Sequence, residues 1–218
     1  MFKQLTIAKF FIILILLSTV IFAVYLSHLS QLLDDAFSDK VSTDTLSFEQ
    51  QPKVMINMLL LMEDQSFFEH SGVDFKEISR VVRDYIFCDK PLRGASTIMM
   101  QLIKNTLLNR ERSLGRKVKE ALMALLLEYS FDKKFILNRY INTVYLGQKG
   151  NISIHGFTNA ARFYFNKDLV LLSLEEMVML VALVKDPDYY HPVRHSLRLL
   201  KRKQLVLSIY HKFEKIVK

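Results

Sequence analysis

The chain has 218 residues, room for one domain of ordinary size plus an anchor, and half of them are apolar, which is high for a soluble protein and low for a polytopic one. Breakers are scarce, with 6 Gly and 4 Pro, which favours a helical body; the single cysteine, Cys88, excludes an intrachain disulfide and reads as a small core or boundary residue. A formal net charge of +8 leaves nucleic acid, an anionic membrane surface or an anionic substrate as partners, and charge alone does not choose among them.

The N-terminus chooses. From Phe10 to Ser27 no residue is charged, and the stretch FFIILILLSTVIFAVYL is long enough to cross a bilayer. Lys3 and Lys9 precede it, whereas Asp34, Asp35 and Asp39 follow. That asymmetry predicts a cytoplasmic N-terminus with the remainder outside. A cleaved signal peptide is the alternative, but its apolar region is shorter and ends in small residues, whereas this one ends in Val24, Tyr25 and Leu26. An exported body excludes nucleic acid as a natural partner.

Residues 28–52 are polar, close on Pro52 and read as a connector, partly helical through Leu29, Leu32 and Leu33. Beyond it helical periodicity dominates, beginning with Met55, Met58, Leu59 and Met62 at i, i+3, i+4 and i+7. Further helices are predicted over 75–87, 96–108 (with Ser96 or Thr97 as N-cap), 114–129, 134–146, 156–165 and 173–184. From Leu197 the spacing predicts an exposed, basic amphipathic helix carrying Arg198, Lys201, Arg202 and Lys203, with Arg194 just before it, suited to anionic lipid. No strand pattern is long enough for a sheet, although 144–146 and 152–154 could pair briefly.

Three clusters could carry chemistry. Glu63 and Asp64 end an apolar helix just before Phe67, Phe68 and His70, and a carboxylate desolvated by aromatics has a raised pKa, which suits a general base. A solvated helix end is the plainer alternative. Thr97, Gln101 and Lys104 are four and three residues apart, so they share one helix face suited to a polar, anionic ligand or simply to solvent. Arg116 and Lys117 lie four and three residues before Glu120, with Arg110, Arg112 and Lys119 nearby. Such a group binds phosphate or forms an ordinary ion pair.

Together the clusters resemble one family. EDQSFFEHSGVD (Glu63 to Asp74) resembles the E-D-x-x-F-x-x-H-x-G-x-D signature of family 51 glycosyltransferases, the peptidoglycan polymerases. RGASTIMMQLIKN (Arg93 to Asn105) resembles their G-x-S-T-I-T-Q-Q-L-x-K-N, RKVKE (Arg116 to Glu120) their R-K-x-x-E, and KKFILNRYINTVYLG (Lys133 to Gly147) their K-x-x-I-L-E-x-Y-L-N-x-x-Y-x-G. A last block follows in HGFTNAARFYF and LSLEEMVMLVALVKDPDYYHP. Three departures stand out: Met99 and Met100 replace a Thr-Gln pair, Asn138 replaces a Glu, and Gln65 replaces a basic residue. Met100 is expected to border the polar face of its helix, where an amide would bind sugar or phosphate, and Met99 to fill space on the other side.

The resemblance implies an all-α, lysozyme-like glycosyltransferase domain at 53–195 with a small membrane-proximal lobe, after a cytoplasmic tail at 1–9, a transmembrane anchor at 10–27 and the connector, with the basic helix at 196–218 behind it. It implies inverting transfer between lipid II and a growing glycan strand at the outer face of a bacterial cytoplasmic membrane. Glu63 would be the base and Glu120 the second catalytic carboxylate, with Arg116, Lys117 and Lys104 stabilising the leaving diphosphate. Asp64, Phe67 and His70 would shape the first motif; Ser96, Thr97, Gln101 and Asn105 would bind substrate. No cofactor is required, but Mg²⁺ or Mn²⁺ could bridge Glu120 to the diphosphate, even though no metal-ligand cluster stands in the sequence. With the chain closing at Lys218, no transpeptidase domain is expected. A catalytically weak homologue that binds lipid II or another cell-wall synthase is the alternative reading; a lytic enzyme would not need the basic face.

Overall fold

The computed structural model describes residues 2–38, 45–91, 93–109, 111 and 113–216, with side chains from Lys9 to Phe213. Asp39, Arg110, Arg112 and Lys218, named above, lie outside the described residues. The chain forms two compact units, 1–40 and 41–218.

The first unit is one helix, α1 (Phe2–Phe37). Its stretch from Lys9 to Phe37, which contains an 18-residue window of mean hydropathy 2.7, is the one helix among the described residues that is long and apolar enough to cross a membrane. The helix runs well past Ser27 into the expected connector, because Leu26, Leu29, Leu33 and Phe37 keep a helical spacing and no Gly or Pro interrupts it.

The second unit is all-α apart from one hairpin, the lysozyme-like helical architecture the sequence predicts. In chain order it contains α2 (Lys53–Glu63), α3 (Phe75–Phe87), α4 (Ile98–Leu107), α5 (Leu114–Ser130), α6 (Lys133–Thr143), β1 (Tyr145–Lys149), β2 (Ile152–His155), α7 (Phe157–Phe165), α8 (Leu174–Val184) and α9 (Ser196–Ile216). Side chains start five of these helices: Asp74, Thr97, Ser113, Asp132 and Ser173 each accept a hydrogen bond from a first-turn N–H. The two strands pair antiparallel, with Gly147 opposite Ile154 and Lys149 opposite Ile152, so the brief pairing foreseen becomes a real hairpin.

α8 is the core helix: Val178 and every residue from Leu180 to Val184 are buried. α2 and α9 pack on it, while α4 packs on α5 and α6. α9 therefore departs from the exposed tail expected. Leu199, Arg202 and Val206 are all buried, at i, i+3 and i+7 on one face. The apolar residues interleaved with the charges had a core to face, which the charge run obscured. Cys88 also departs from expectation. It is exposed, because the end of α3 projects from the body and leaves Phe87 79% exposed beside it.

Candidate active site

Burying Met55, Ile56, Met58 and Leu59 fixes the rotation of α2 and brings its last residue, Glu63, against α4 and α9. The Glu63 side chain is only 11% exposed. Gln101 Nε2 donates to Glu63 Oε2 at 3.1 Å, and the Tyr140 hydroxyl donates to Gln101 Oε1 at 2.8 Å. Tyr140 thus orients the amide so that its NH₂ faces the carboxylate. Arg202 Nη2 stands 3.8 Å from Glu63 Oε1. Burial pushes the Glu63 carboxyl above its ordinary 4.5; the Gln101 hydrogen bond and the charges of Arg202, Lys185 and Lys104 only partly offset that. Tyr140 is fully buried, and desolvation, helped by the Glu63 and Asp64 charges, keeps its hydroxyl protonated and available as the donor.

The loop after Glu63 is locked in place by its own motif. Asp64, 7% exposed, accepts from the Ile98 N–H at 2.9 Å at the start of α4 and from His70 Nε2 at 3.0 Å. His70 Nδ1 accepts from the Gly72 N–H at 3.1 Å, which leaves Nε2 as the donor toward Asp64. The Thr97 hydroxyl donates to the Gly72 carbonyl at 2.7 Å and caps α4 by accepting from the Met100 N–H. Gly72 sits at φ +89°, and a Cβ there would come within 2.3 Å of the Ala124 carbonyl of α5, so only glycine permits this approach. Phe67 is buried, with the Lys133 ammonium 5.0 Å from its ring centre. Asp64, Phe67, His70 and Thr97 are thus joined in one scaffold that ties α2 to α4 and α5.

On α5, Glu120 is 1% exposed and both of its oxygens are occupied: Arg116 Nη1 reaches Oε2 at 2.9 Å and Lys117 Nζ reaches Oε1 at 2.5 Å. Lys117 also donates to Ser96 Oγ at 2.7 Å. Glu120 is thus buried with one cation on each oxygen, and its geometry is that of a group holding two cations. Among the described residues no three His, Cys, Asp or Glu side chains converge as metal ligands. A divalent cation at Glu120 would displace its two ammonium and guanidinium partners, so these residues do not fit the Mg²⁺ or Mn²⁺ considered above.

A cleft of about 340 Å³ is lined by Glu63, Asp64, Arg80, Arg93, Ser96 and Thr97. Its lining includes the base candidate, and Ser96 links it through Lys117 to the Glu120 cluster. Lys104 is exposed and acts on Glu63 through its charge. Asn105 is not brought to this cleft but lines a separate cavity. Met100 departs from its expected place: it is 1% exposed and Met99 is 0% exposed, so both fill the core and neither borders a polar face. Helix geometry alone placed Met100 between Thr97 and Lys104, but Thr97 is itself buried. Asn138 accepts from Gln51 Nε2 at 3.2 Å and ties the residues before α2 to α6. Gln65 lines the cleft and donates to the Leu61 carbonyl.

The sequence did not single out Tyr140, Arg80 or Arg93, and it grouped Arg202 with the lipid-facing charges rather than with the site. Tyr140 and Arg93 fall inside the quoted motifs, so the signal was present. Arg202 carried none, since a cation in a basic helix looks like surface. Its position makes a direct prediction. Arg202→Met keeps most of the packing and removes a charge that lowers the Glu63 pKa, so that pKa should rise further, while Arg202→Lys should hold it near the wild-type value. A carboxyl ¹³C NMR titration of the three proteins reads this; equal Glu63 midpoints in all three would show that Arg202 does not act on Glu63.

A helical body with a desolvated carboxylate in a cleft, and with Ser96 of that cleft bonded to a cation held by a second buried carboxylate, defines the class. Residues 30–211 match the family model described as Transglycosylase, and the chain belongs to that family. Curated relatives include penicillin-binding protein 1B of Haemophilus influenzae, 39% identical over 172 residues (79% of this chain, 22% of that protein). Penicillin-binding protein 1B of Vibrio cholerae is 41% identical over 161 residues (74% and 21%), and penicillin-binding protein 1A of Aquifex aeolicus is 41% identical over 163 residues (75% and 22%). The chain spans about a fifth of the length of these relatives.

Proposed function

We propose that this chain is a peptidoglycan glycosyltransferase that polymerises lipid II into glycan strands. The observation that carries the reading is the cleft with Glu63, its pKa raised by burial, at one side and Ser96, coupled to the Lys117–Glu120–Arg116 cluster, at the other. The attacking 4-hydroxyl of a lipid II sugar is a poor nucleophile and needs a base. Glu63 takes its proton as the new glycosidic bond forms at the anomeric carbon and the bond to the diphosphate breaks with inversion. The departing polyprenyl diphosphate gains negative charge and is met by Lys117, Arg116 and Lys104. Glu120 acts as a positioning residue that holds the two α5 cations in place. Gln101 orients Glu63, and Asp64, Phe67, His70 and Thr97 hold the loop that carries it.

The membrane side of the reading rests on α1 and α3. Lys3 and Lys9 before the apolar stretch and Asp34 and Asp35 after it support an N-terminus in the cytoplasm with the body outside, on a single span. α3 leaves Phe75, Val82, Tyr85, Ile86 and Phe87 exposed, with Arg80, Arg83 and Lys90 beside them. Apolar tips ringed by cations suit the headgroup boundary of an anionic bilayer, where the substrate resides. Replacing both Ile86 and Phe87 with Ser should cut turnover of bilayer-embedded lipid II about fivefold or more, since burying one such side chain contributes ~1.5–3 kcal/mol. In detergent micelles turnover should stay near wild type. An equal loss in both media would point to a folding defect.

The deciding experiment incubates the purified full chain with labelled lipid II. Polymer supports the reading; substrate retained but unchanged marks a binder; cleavage of existing glycan marks a lytic enzyme. Either of the last two overturns it.

A further inference from the structure

The second half of α3 carries a carboxylate that neither the base nor the Glu120 cluster uses. Asp84 is 5% exposed and shares the inward face of the helix with Val81, one turn before it. A carboxylate buried at such a position gives up hydration and needs partners in return. Three cations supply them: Arg83 Nη2 reaches Oδ1 at 2.9 Å, while Lys90 Nζ reaches Oδ2 at 3.0 Å and Arg93 Nη2 reaches the same oxygen at 3.4 Å. Hydrogen bonds from Lys90 and Arg83 hold the Asp84 carboxyl below its ordinary 3.8, so it is ionised at neutral pH.

Two of these partners, Lys90 and Arg93, lie beyond the helix on the chain that leads to α4. Backbone geometry turns that chain back onto α3. The Asp84 carbonyl accepts from the Cys88 N–H at 3.1 Å and from the Lys90 N–H at 3.2 Å, and Asp89 between them takes the left-handed conformation, with φ +49°. Asp84 thus grips the chain twice, by its main chain and by its side chain. The effect reaches the cleft, because Arg93 lines it beside Arg80, Ser96 and Thr97. Packing adds little hold just after Arg93, since a Cβ on Gly94 would meet nothing within 4 Å. Arg80 is paired with Glu77, whereas Arg93 keeps 54% of its side chain exposed while it touches Asp84. One carboxylate does not neutralise three cations, so positive charge remains at this edge of the cleft.

We infer that Asp84 is a positioning residue for substrate binding: it holds Arg93 at the edge of the Glu63 cleft, where the guanidinium meets an anionic oxygen group of the substrate. The inference rests on the proposed function for its choice of substrate, lipid II. Guanidinium forks bind phosphate and carboxylate alike, and their contribution depends on being held in one orientation. The alternative role, simple charge neutralisation, has the opposite sign. If Asp84 only cancelled positive charge, removing it would strengthen the field at the cleft and tighten binding of an anionic substrate. If it positions Arg93, removing it weakens binding.

The test titrates the full chain in detergent with fluorescently labelled lipid II and reads KM and kcat on the same substrate. Wild type is compared with Asp84→Asn, Asp84→Glu, Arg93→Gln and the double variant Asp84→Asn with Arg93→Gln. Asp84→Asn should weaken binding and raise KM about two- to tenfold, with kcat moving far less. Asp84→Glu keeps the charge and should recover most of the loss. The double variant should bind no worse than Arg93→Gln alone, because Asp84 acts through Arg93. A peptide-free lipid-linked disaccharide assigns the anion: the Asp84→Asn loss persists on it for a phosphate contact and vanishes for a peptide carboxylate. Tighter binding by Asp84→Asn, additive losses in the double variant, or a lower melting temperature and kcat with KM unchanged would each overturn the assignment. Wild type that binds lipid II without polymerising it, with the affinities still in the expected order, removes the enzymatic reading and leaves the role of Asp84 standing. Wild type that does not bind lipid II overturns both.

Discussion

Glu63→Gln should lower lipid II polymerisation by roughly two orders of magnitude or more, the usual contribution of a positioned base. The amide preserves shape, so binding of lipid II should persist. The wild-type rate should also fall on acidification above the ordinary carboxyl value of 4.5, because burial raises the Glu63 pKa and only the ionised form can take a proton. Stability should move the opposite way. A carboxyl whose pKa is higher folded than unfolded favours the fold below the unfolded value, and that contribution is lost as pH rises through the folded value. At neutral pH the buried charge is therefore a burden, and Glu63→Gln should raise the melting temperature, with the gain narrowing as pH falls through the raised folded value toward 4.5. Polymerisation assays and melting curves at neutral and acidic pH check both halves. Normal polymerisation by Glu63→Gln would overturn the assigned base.

Glu120→Gln should damage fold and turnover together, unlike Glu63→Gln. Glu120 is 1% exposed and holds Arg116, whose side chain is 17% exposed, and Lys117, whose side chain is 43% exposed. Removing one partner of a fully buried pair costs about 3–5 kcal/mol. Lys117 can turn toward water, so the expected loss is nearer ~1.5–3 kcal/mol, the range for hydrogen bonds to charged groups. In a body of this size that lowers the melting temperature by roughly 3–12 °C. With Lys117 released, its contact to Ser96 loosens and the leaving diphosphate loses a fixed cation, so turnover should fall at a temperature where the protein is still folded. Circular dichroism melts beside single-turnover assays separate the two losses. A variant with wild-type melting and wild-type turnover would show that Glu120 anchors nothing of consequence.

The helices were legible because their signals are local. Apolar residues at the 3.6-residue period and a cap such as Thr97 operate within a few residues, and predicted bounds such as 75–87 match α3 as found. The motif residues Glu63, Asp64, His70 and Glu120 were legible as well, since their spacing survives in sequence. What each side chain does with its neighbours was not. Thr97 and Ser96 are adjacent and both line the cleft, yet the Thr97 hydroxyl is engaged with Gly72 and the Ser96 hydroxyl with Lys117.

By itself the sequence determined the all-α body, the apolar N-terminal helix, the family and the candidate carboxylates, because these rest on composition, period and short-range spacing. Only the tertiary structure decided that Arg202 lies buried beside Glu63, that Met99 and Met100 fill the core, that Glu120 is shielded by its cations, and that Asn105 lines a different cavity from Glu63. The physical reason is common to all four. Burial and charge pairing depend on which helices meet, and α9 reaches α2 across more than a hundred residues of chain that no local pattern spans.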